Sequence, residues 1–192
     1  MIHKKQIFFS WRFLSGLILF LGIVWIWFSS TNSSSVTSGR IPAPRQGFLA
    51  PDFQLPAAQE SQPIGSITLS DLRGQPVLIN LWASWCPPCQ AEMPAMQRVY
   101  EEYREQGFEI LAINTTFQDD QDSAALFVSQ KGLTFPILWD FDRIVSNLYQ
   151  TRAMPTSFFV DADGVIRDVI VGGPMSEALL RIRVQQLFEE NR

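Results

Sequence analysis

Short apolar runs along this chain predict a set of buried β-strands. A strand that is covered on both faces of a sheet reads as a nearly continuous hydrophobic segment, and the run Pro-Val-Leu-Ile-Asn-Leu-Trp is the clearest example. The turn sequence Asp-Ala-Asp-Gly at residues 161–164 separates the last two runs and predicts a hairpin. The predicted strands are residues 76–82, 108–114, 135–139, 156–160 and 165–171.

Apolar residues spaced three and four positions apart predict helices between these strands. The first helix begins after Cys86 and ends near Gly107, and we expect Pro94 to kink it. Ser176 is the expected N-cap of the last helix. The other predicted helices are residues 121–131, 144–149 and 176–190.

The elements follow one another as β-α-β, then a helix and a strand, and then β-β-α. Parallel strands joined through a helix, together with a hairpin, require a mixed sheet, and helices must cover its two faces. The sequence therefore predicts an α/β domain with a central mixed β-sheet flanked by helices. Its 192 residues and 46% hydrophobic content suffice for one such domain with a substantial core.

An uncharged hydrophobic run precedes this domain at residues 13–28. As a helix the run spans ~24 Å, and extension back to Ile7 gives ~33 Å, enough to cross a hydrocarbon core of ~30 Å. Two lysines and Arg12 precede the run, so the positive-inside rule makes residues 1–28 a cytoplasmic N-terminus and a single transmembrane signal anchor. A cleaved signal peptide is the alternative, although no clear Ala-x-Ala cleavage site follows the run.

A change of composition and charge separates the hydrophobic run from the domain. Residues 29–47 are rich in Ser, Thr, Gly and Pro without a hydrophobic period, which predicts a flexible linker to a domain at residues 48–192. Residues 1–47 hold five Lys or Arg and no acid, whereas the domain holds ten against nineteen acids. An acidic domain lacks the surface that nucleic acid requires. We expect it on the extracytoplasmic face of the cell membrane.

The two cysteines of the chain, Cys86 and Cys89, carry its candidate chemistry. They stand two residues apart at the start of a predicted helix, whose unpaired N–H groups and dipole favour an anion. Cys86 is therefore placed to become a thiolate, the form that attacks disulfides. We assign Cys86 as the nucleophile and Cys89, one turn inside the helix, as the resolving thiol.

Other uses of a Cys-x-x-Cys pair fit the chain less well. A zinc ion needs about four ligands, and the chain offers no third cysteine and a single histidine, His3, ahead of the hydrophobic run. The same lack of histidine argues against a Cys–His nucleophile. A purely structural disulfide stays open, although so short a loop restricts the unfolded chain little. We expect a redox-active disulfide, with no metal and no further cofactor.

Several short motifs surround the cysteine pair. They are Ala-Pro-Asp-Phe at 50–53, Leu-Ser-Asp-Leu-Arg-Gly at 69–74, Asn-Leu-Trp-Ala-Ser-Trp-Cys-Pro-Pro-Cys at 80–89, Glu-Met-Pro at 92–94, Met-Pro-Thr-Ser-Phe at 154–158 and Asp-Gly at 163–164. Together they resemble the membrane-anchored thiol–disulfide oxidoreductases of the TlpA/ResA/CcmG type, within the redoxin superfamily. The cysteine and Met-Pro-Thr motifs are the specific ones, whereas Ala-Pro-Asp-Phe is shared with peroxiredoxins.

This resemblance implies a thioredoxin-like fold and a cis peptide bond between Met154 and Pro155. A cis proline opens a tight turn and lacks an N–H, which leaves the Met154 backbone free to pair with an extended partner chain. A trans proline entering a strand is the alternative. The resemblance also implies that Trp85, Pro87, Pro88, Met154 and Pro155 shape the site and contact the client.

The chain departs from its relatives in the groups that could accept the proton of Cys89. Thioredoxin carries a buried aspartate six residues before its first cysteine, where this chain has Asn80. Some members of the family carry a glutamate after the second strand, about where Phe117 stands here. Glu92 is the nearest acid in sequence. We expect it to be a surface or helix-capping residue first and a proton-transfer group second, with Asn80 or water as the alternative acceptor.

These features predict an extracytoplasmic, membrane-tethered reductase of client protein disulfides. Neither Pro87 nor Pro88 supplies a charge to the Cys86 thiolate, a support worth about 1 kcal/mol, so a stable reduced dithiol is less favoured. The resemblance suggests apocytochrome c as a client and a membrane thiol carrier as the electron donor. A net disulfide oxidase, a thiol peroxidase and a non-catalytic tethered binding module are the alternatives. The oxidase is the first alternative, and the peroxidase ranks below it because Ala83 stands where the peroxidase motif requires Thr or Ser.

Overall fold

The computed structural model describes residues 41–59 and 62–189. The predicted signal anchor and most of the predicted linker lie outside these residues. Within the described ranges, no helix has both the length and the apolar character needed to cross a membrane.

The described chain folds into one seven-stranded sheet with helices on both faces. The strand order is β2-β1-β5-β4-β3-β6-β7. The strands are β1 Gln54–Gln59, β2 Gln62–Thr68, β3 Val77–Trp82, β4 Glu109–Asn114, β5 Ile137–Trp139, β6 Thr156–Val160 and β7 Ile166–Val171. The α-helices are α1 Pro87–Tyr103, α2 Gln121–Lys131, α3 Ile144–Leu148 and α4 Glu177–Glu189. Short 3-10 helices lie at Leu69–Leu72, Arg104–Gln106 and Thr116–Gln118.

Strand β3 is the centre of the sheet, and all six of its residues are buried. It pairs in parallel with β4 and antiparallel with β6, and β4 pairs in parallel with β5. This pairing confirms the mixed sheet that the element order predicts. Side chains of β3 alternate between two cores: Leu78 and Trp82 pack with α1, α2 and α4, whereas Ile79 and Leu81 pack with α3.

The structure adds an N-terminal hairpin that the sequence patterns do not predict. Strands β1 and β2 pair antiparallel, and β1 extends the sheet by pairing with β5 through Ala57 and Leu138. These two strands contain Pro56 and Gly65 and several small residues instead of the β-branched and aromatic residues that mark strands. Only Leu55 and Ala57 follow the alternation of a half-buried strand, so the periodic signal is short.

The helix ends agree with the capping residues expected from the sequence. Helix α1 runs without interruption through Pro94 to Tyr103, and Gly107 then takes a left-handed conformation with φ of 93°. The Ser176 hydroxyl accepts a hydrogen bond from the backbone N–H of Leu179 at 3.2 Å, as expected for the N-cap of α4. Helix α1 begins at Pro87 with Cys86 as its N-cap, which is where the cysteine motif lies.

Candidate active site

The two cysteines form a disulfide at the N-terminus of α1. Cys86 is the N-cap residue, and its sulfur accepts a hydrogen bond from the backbone N–H of Cys89 at 3.3 Å. Cys86 keeps 4% exposure, whereas Cys89 is fully buried. A partner can therefore reach only Cys86 from solvent, and the helix N-terminus stabilises negative charge on that sulfur.

A network around Asp119 holds the loop that leads into Cys86. One Asp119 carboxylate oxygen accepts from the Ser84 backbone N–H at 2.6 Å and from the Asn114 side-chain amide at 2.7 Å. The other oxygen accepts from the Ser84 hydroxyl at 2.6 Å. The indole N–H of Trp85 donates to the carbonyl of Gln118, while the residue as a whole remains 55% exposed. The sequence patterns do not point to Asp119, although an acid shortly after the carboxyl end of a central strand is a signal that could have found it.

A second loop, at Met154 and Pro155, lies beside the cysteines. The Met154–Pro155 bond is cis, as the family resemblance implies, and Gly173–Pro174 is also cis, which was not expected. The Pro155 carbonyl accepts from the N–H of Gly172. Within the described part of the chain, no hydrogen bond engages the Met154 backbone N–H or carbonyl. These groups are therefore available to an extended partner.

A surface cavity of about 550 Å³ joins the two loops. Five of the predicted site residues line it, and Pro155, the next residue after one of them, is buried. Phe117 also lines the cavity, and the Arg143 guanidinium lies over its ring at 4.2 Å from the ring centre. An aromatic ring with a cation on it thus stands about where the family resemblance implies a glutamate in some members. The five predicted residues are Trp85, Cys86, Pro87, Pro88 and Met154.

Glu92 is fully buried, so the expectation of a surface or helix-capping role is wrong. It follows Cys89 by three residues in α1, a spacing that places both on the same, inward face of the helix. Its carboxylate accepts from the Asn80 side-chain amide at 2.8 Å and from the Met175 backbone N–H at 3.0 Å. Burial raises the pKa of Glu92 above its ordinary value, and these two hydrogen bonds offset part of that rise.

Asn80 connects this buried acid to the sheet. Its side-chain amide also donates to the Ser157 hydroxyl at 2.9 Å, whereas its Oδ1 has no hydrogen-bond partner in the described structure. A methyl group at Gly173 would lie 2.8 Å from the Pro155 ring and 3.0 Å from the Glu92 carboxylate, so the acid packs directly beneath the cis-proline region. The structure thus joins Asn80 and Glu92 in one polar cluster on the inner side of the site.

Comparisons with known proteins agree with this arrangement. Residues 47–169 match the AhpC/TSA family. A thiol–disulfide oxidoreductase ResA from Oceanobacillus iheyensis is 42% identical over 131 residues, which cover 67% of this chain and 66% of that protein. Its namesake from Bacillus subtilis is 31% identical over 180 residues, or 94% of this chain and 92% of that one. The crystal structure of a thiol:disulfide interchange protein of the thioredoxin family from Chlorobium tepidum matches with a TM-score of 0.62 at 25% identity, covering 78% of this chain and 98% of that one.

A cysteine pair at a helix N-terminus, sharing one cavity with a cis-proline loop on a mixed sheet, defines a thioredoxin-like thiol–disulfide oxidoreductase. The matched ResA relatives are named thiol–disulfide oxidoreductases. The chain belongs to the AhpC/TSA family.

Proposed function

We propose that this protein reduces the disulfides of client proteins on the outer face of the cytoplasmic membrane. The observation that carries the proposal is the meeting of two features in one cavity: the Cys86 sulfur at the helix N-terminus and the unpaired backbone of Met154. The first provides a nucleophile, and the second provides a place for an extended client chain to pair. A cavity of this size accommodates the residues around a client cysteine.

Reduction proceeds in two exchanges. The Cys86 thiolate attacks one sulfur of the client disulfide, the client S–S bond breaks, and the leaving thiolate takes up a proton. The Cys89 thiolate then attacks Cys86 in the mixed disulfide and releases the second client thiol. Two electrons pass from the dithiol to the client, and the Cys86–Cys89 disulfide remains. A thiol donor must reduce this disulfide before the next cycle.

The second exchange requires Cys89 to lose a proton inside the protein. Cys89 is fully buried, so bulk water does not reach it in the oxidised structure. Glu92 lies one turn further along the same face of α1, and its raised pKa makes it a better proton acceptor than an exposed carboxylate. Asn80 holds Glu92 through its amide and is not itself a base. We assign proton acceptance to Glu92 and its positioning to Asn80.

The direction of electron flow follows from what stabilises the Cys86 thiolate. The backbone N–H of Cys89 and the α1 N-terminus contribute, and two arginines line the same cavity. Between the cysteines, however, Pro87 and Pro88 add no charge, and the domain contains no histidine. A strongly oxidising protein of this class needs a highly stabilised reduced form. The Pro-Pro pair therefore favours a reductant over an oxidase.

The location and partners of the enzyme rest on the sequence. The charge asymmetry around residues 13–28 supports a signal anchor with the domain outside the cytoplasm, joined by the linker at 29–47. Apocytochrome c is the client, and a membrane thiol carrier the donor, that the family resemblance suggests. The names of the matched relatives specify neither.

A mixed-disulfide trap tests the chemistry. Cys89→Ser leaves the attacking sulfur without a resolving thiol, so the full-length variant should accumulate disulfide-linked adducts with its clients, whereas Cys86→Ser should accumulate none. In the reduced wild-type protein, limiting iodoacetamide should label Cys86 before Cys89. Adducts with the Cys86→Ser variant, or preferential labelling of Cys89, would reverse the assigned roles.

A protease-accessibility experiment tests the location. Protease added to intact spheroplasts should digest the domain, and a reporter fused after residue 192 should be active only where the reporter requires export. Full protection of the domain in intact spheroplasts would place it in the cytoplasm and contradict the proposal.

A further inference from the structure

Two arginines stand on the wall of the cavity beside Cys86. Arg143 and Arg152 both line it, and no Asp or Glu does. The surrounding domain is acidic, with nineteen acids against ten Lys or Arg from residue 48 onward. A cavity with two cations and no carboxylate is therefore a local reversal of the charge of the domain.

No acidic side chain of the described structure forms an ion pair with either of these two arginines. Four other arginines of the domain do form ion pairs, each with an Asp or Glu. Those four are Arg98, Arg167, Arg181 and Arg183.

The acids closest to the cavity in the chain are mostly committed to hydrogen bonds. Asp140 is fully buried, and its carboxylate accepts from the N–H groups of Val145 and Ser146 and from the Ser146 hydroxyl. Asp119 holds the Ser84 loop. Asp142 precedes Arg143 and is exposed, without an ion pair to it in the described structure.

Arg143 is also held in place. Its backbone has a φ of 59°, a left-handed conformation that costs a non-glycine residue free energy and is found preferentially at functional sites. The centre of its guanidinium lies 4.2 Å from the centre of the Phe117 ring, and no acidic side chain of the described structure pairs with it. A guanidinium carries its N–H donors in a fixed fork that can bind both oxygens of a carboxylate.

We propose that this cavity selects client segments that carry an Asp or Glu side chain close to the target cysteine. The selection rests on the proposed reductase function and specifies its substrate class. A cavity of about 550 Å³ is roughly 8 Å across, which an extended chain crosses in two or three residues. A client cysteine at Cys86 therefore places side chains within two or three residues of it near Arg143 and Arg152.

Small peptide disulfides of one design test this selection. The peptide Ac-Xaa-Gly-Cys-Gly-Xaa-amide carries its cysteine as a neutral 2-thiopyridyl disulfide, and Xaa is Asp, Asn or Lys. Cys86 attacks the peptide sulfur and displaces 2-thiopyridone, and Cys89 then releases the peptide thiol as the dithiol becomes a disulfide. The reduced full-length protein is used in a neutral detergent, and the release of 2-thiopyridone gives the second-order rate constant for each peptide.

The Asp peptide should react about fivefold faster than the Asn peptide, and the Lys peptide more slowly than either. The advantage should shrink as salt is raised. In Arg143→Gln/Arg152→Gln the Asp/Asn ratio should fall to about one. If that variant is poorly folded, Arg152→Gln alone should lower the ratio partway. The matched control, Arg104→Gln/Lys131→Gln, removes two charges at the far ends of α1 and α2 and should keep the wild-type ratio.

The outcomes separate the two proposals. Equal rates for the three peptides, or a faster Lys peptide as the net charge of the domain alone would give, overturn the selection and leave the reductase function standing. An equal loss of the Asp preference in the control variant overturns it as well. If glutathione disulfide proves the fastest substrate, the cavity takes a small anionic thiol and the peptide assignment is wrong. If no peptide is reduced, the reductase function itself fails.

Discussion

Replacement of Glu92 by glutamine should change how the stability of the oxidised protein depends on pH. Burial raises the pKa of Glu92, so the folded protein keeps this proton at pH values where the unfolded chain has lost it. The unfolded state then binds fewer protons, and the stability falls as pH rises from the ordinary glutamate value through the raised one. A glutamine side chain does not ionise, so the Glu92→Gln variant escapes this loss.

The expected difference in unfolding free energy between Glu92→Gln and wild type has two parts. The first part does not depend on pH. Glu92 accepts two hydrogen bonds, and the amide of a glutamine can accept only one of them, which leaves one buried donor unpaired at a cost of about 1–3 kcal/mol. Asn80 can reduce this cost by rotating its amide, because its Oδ1 has no partner in the described structure and would then accept from the introduced amide. The second part favours the Glu92→Gln variant and grows by up to about 1.4 kcal/mol per pH unit through the window.

Urea unfolding of the full-length oxidised protein between pH 4 and 8, followed by tryptophan fluorescence, measures both parts. The difference in unfolding free energy between Glu92→Gln and wild type should move in favour of the variant as pH rises. The control, Glu105→Gln, removes one acid from the exposed 3-10 turn after α1. Its curve of unfolding free energy against pH should stay parallel to that of wild type. Parallel curves for Glu92→Gln as well would refute the inference that this carboxyl is desolvated.

Three further changes probe the rest of the site. Asp119→Ala should cost about 1–3 kcal/mol of stability, measured by urea unfolding, because it unpairs the N–H and hydroxyl of Ser84; an unchanged midpoint would contradict the role of this network. Gly173→Ala should destabilise by about 1–3 kcal/mol because its methyl group would meet the Pro155 ring at 2.8 Å, and a neutral result in the same assay would show that the loop yields easily. Pro88→His should raise the reduction potential by stabilising the Cys86 thiolate, and an unchanged value in a glutathione titration would assign control to the helix N-terminus and backbone N–H groups.

The sequence predicts the parts of the fold whose signals are strong and local. The continuous apolar run of β3, Gly107 after α1 and the N-cap serine of α4 are signals that lie within a few residues of the structure they predict. The hairpin of β1 and β2 has no such signal. This hairpin forms strands because β1 pairs with the open edge of β5. That pairing is long-range, so the β-propensity of the local sequence does not predict it.

The residues of the candidate site also fall into two groups: those that sequence motifs predict and those that only the folded structure identifies. The cysteine pair and the cis-proline loop are motifs, and the sequence was enough to name them. The burial of Glu92 depends on Met175, which is distant in the chain and supplies an N–H to its carboxylate. The role of Asp119 depends on a loop that folds back to Ser84. The sequence offers only weak signals for these two acids: one stands three residues after Cys89 in a helix, and the other stands shortly after a central strand. Their hydrogen-bond partners become evident only when the topology brings the separate segments together.

The reduction potential of the Cys86–Cys89 pair tests the central claim most directly. Equilibration of the full-length protein with glutathione or dithiothreitol mixtures gives this value through the fraction of dithiol. We expect a potential near the ~ −270 mV of thioredoxin, because the Pro-Pro pair adds no charge to the thiolate. The strong oxidant of the class lies near ~ −120 mV, about 7 kcal/mol away for a two-electron couple. A value above roughly −160 mV would contradict the reductase and establish the oxidase in its place.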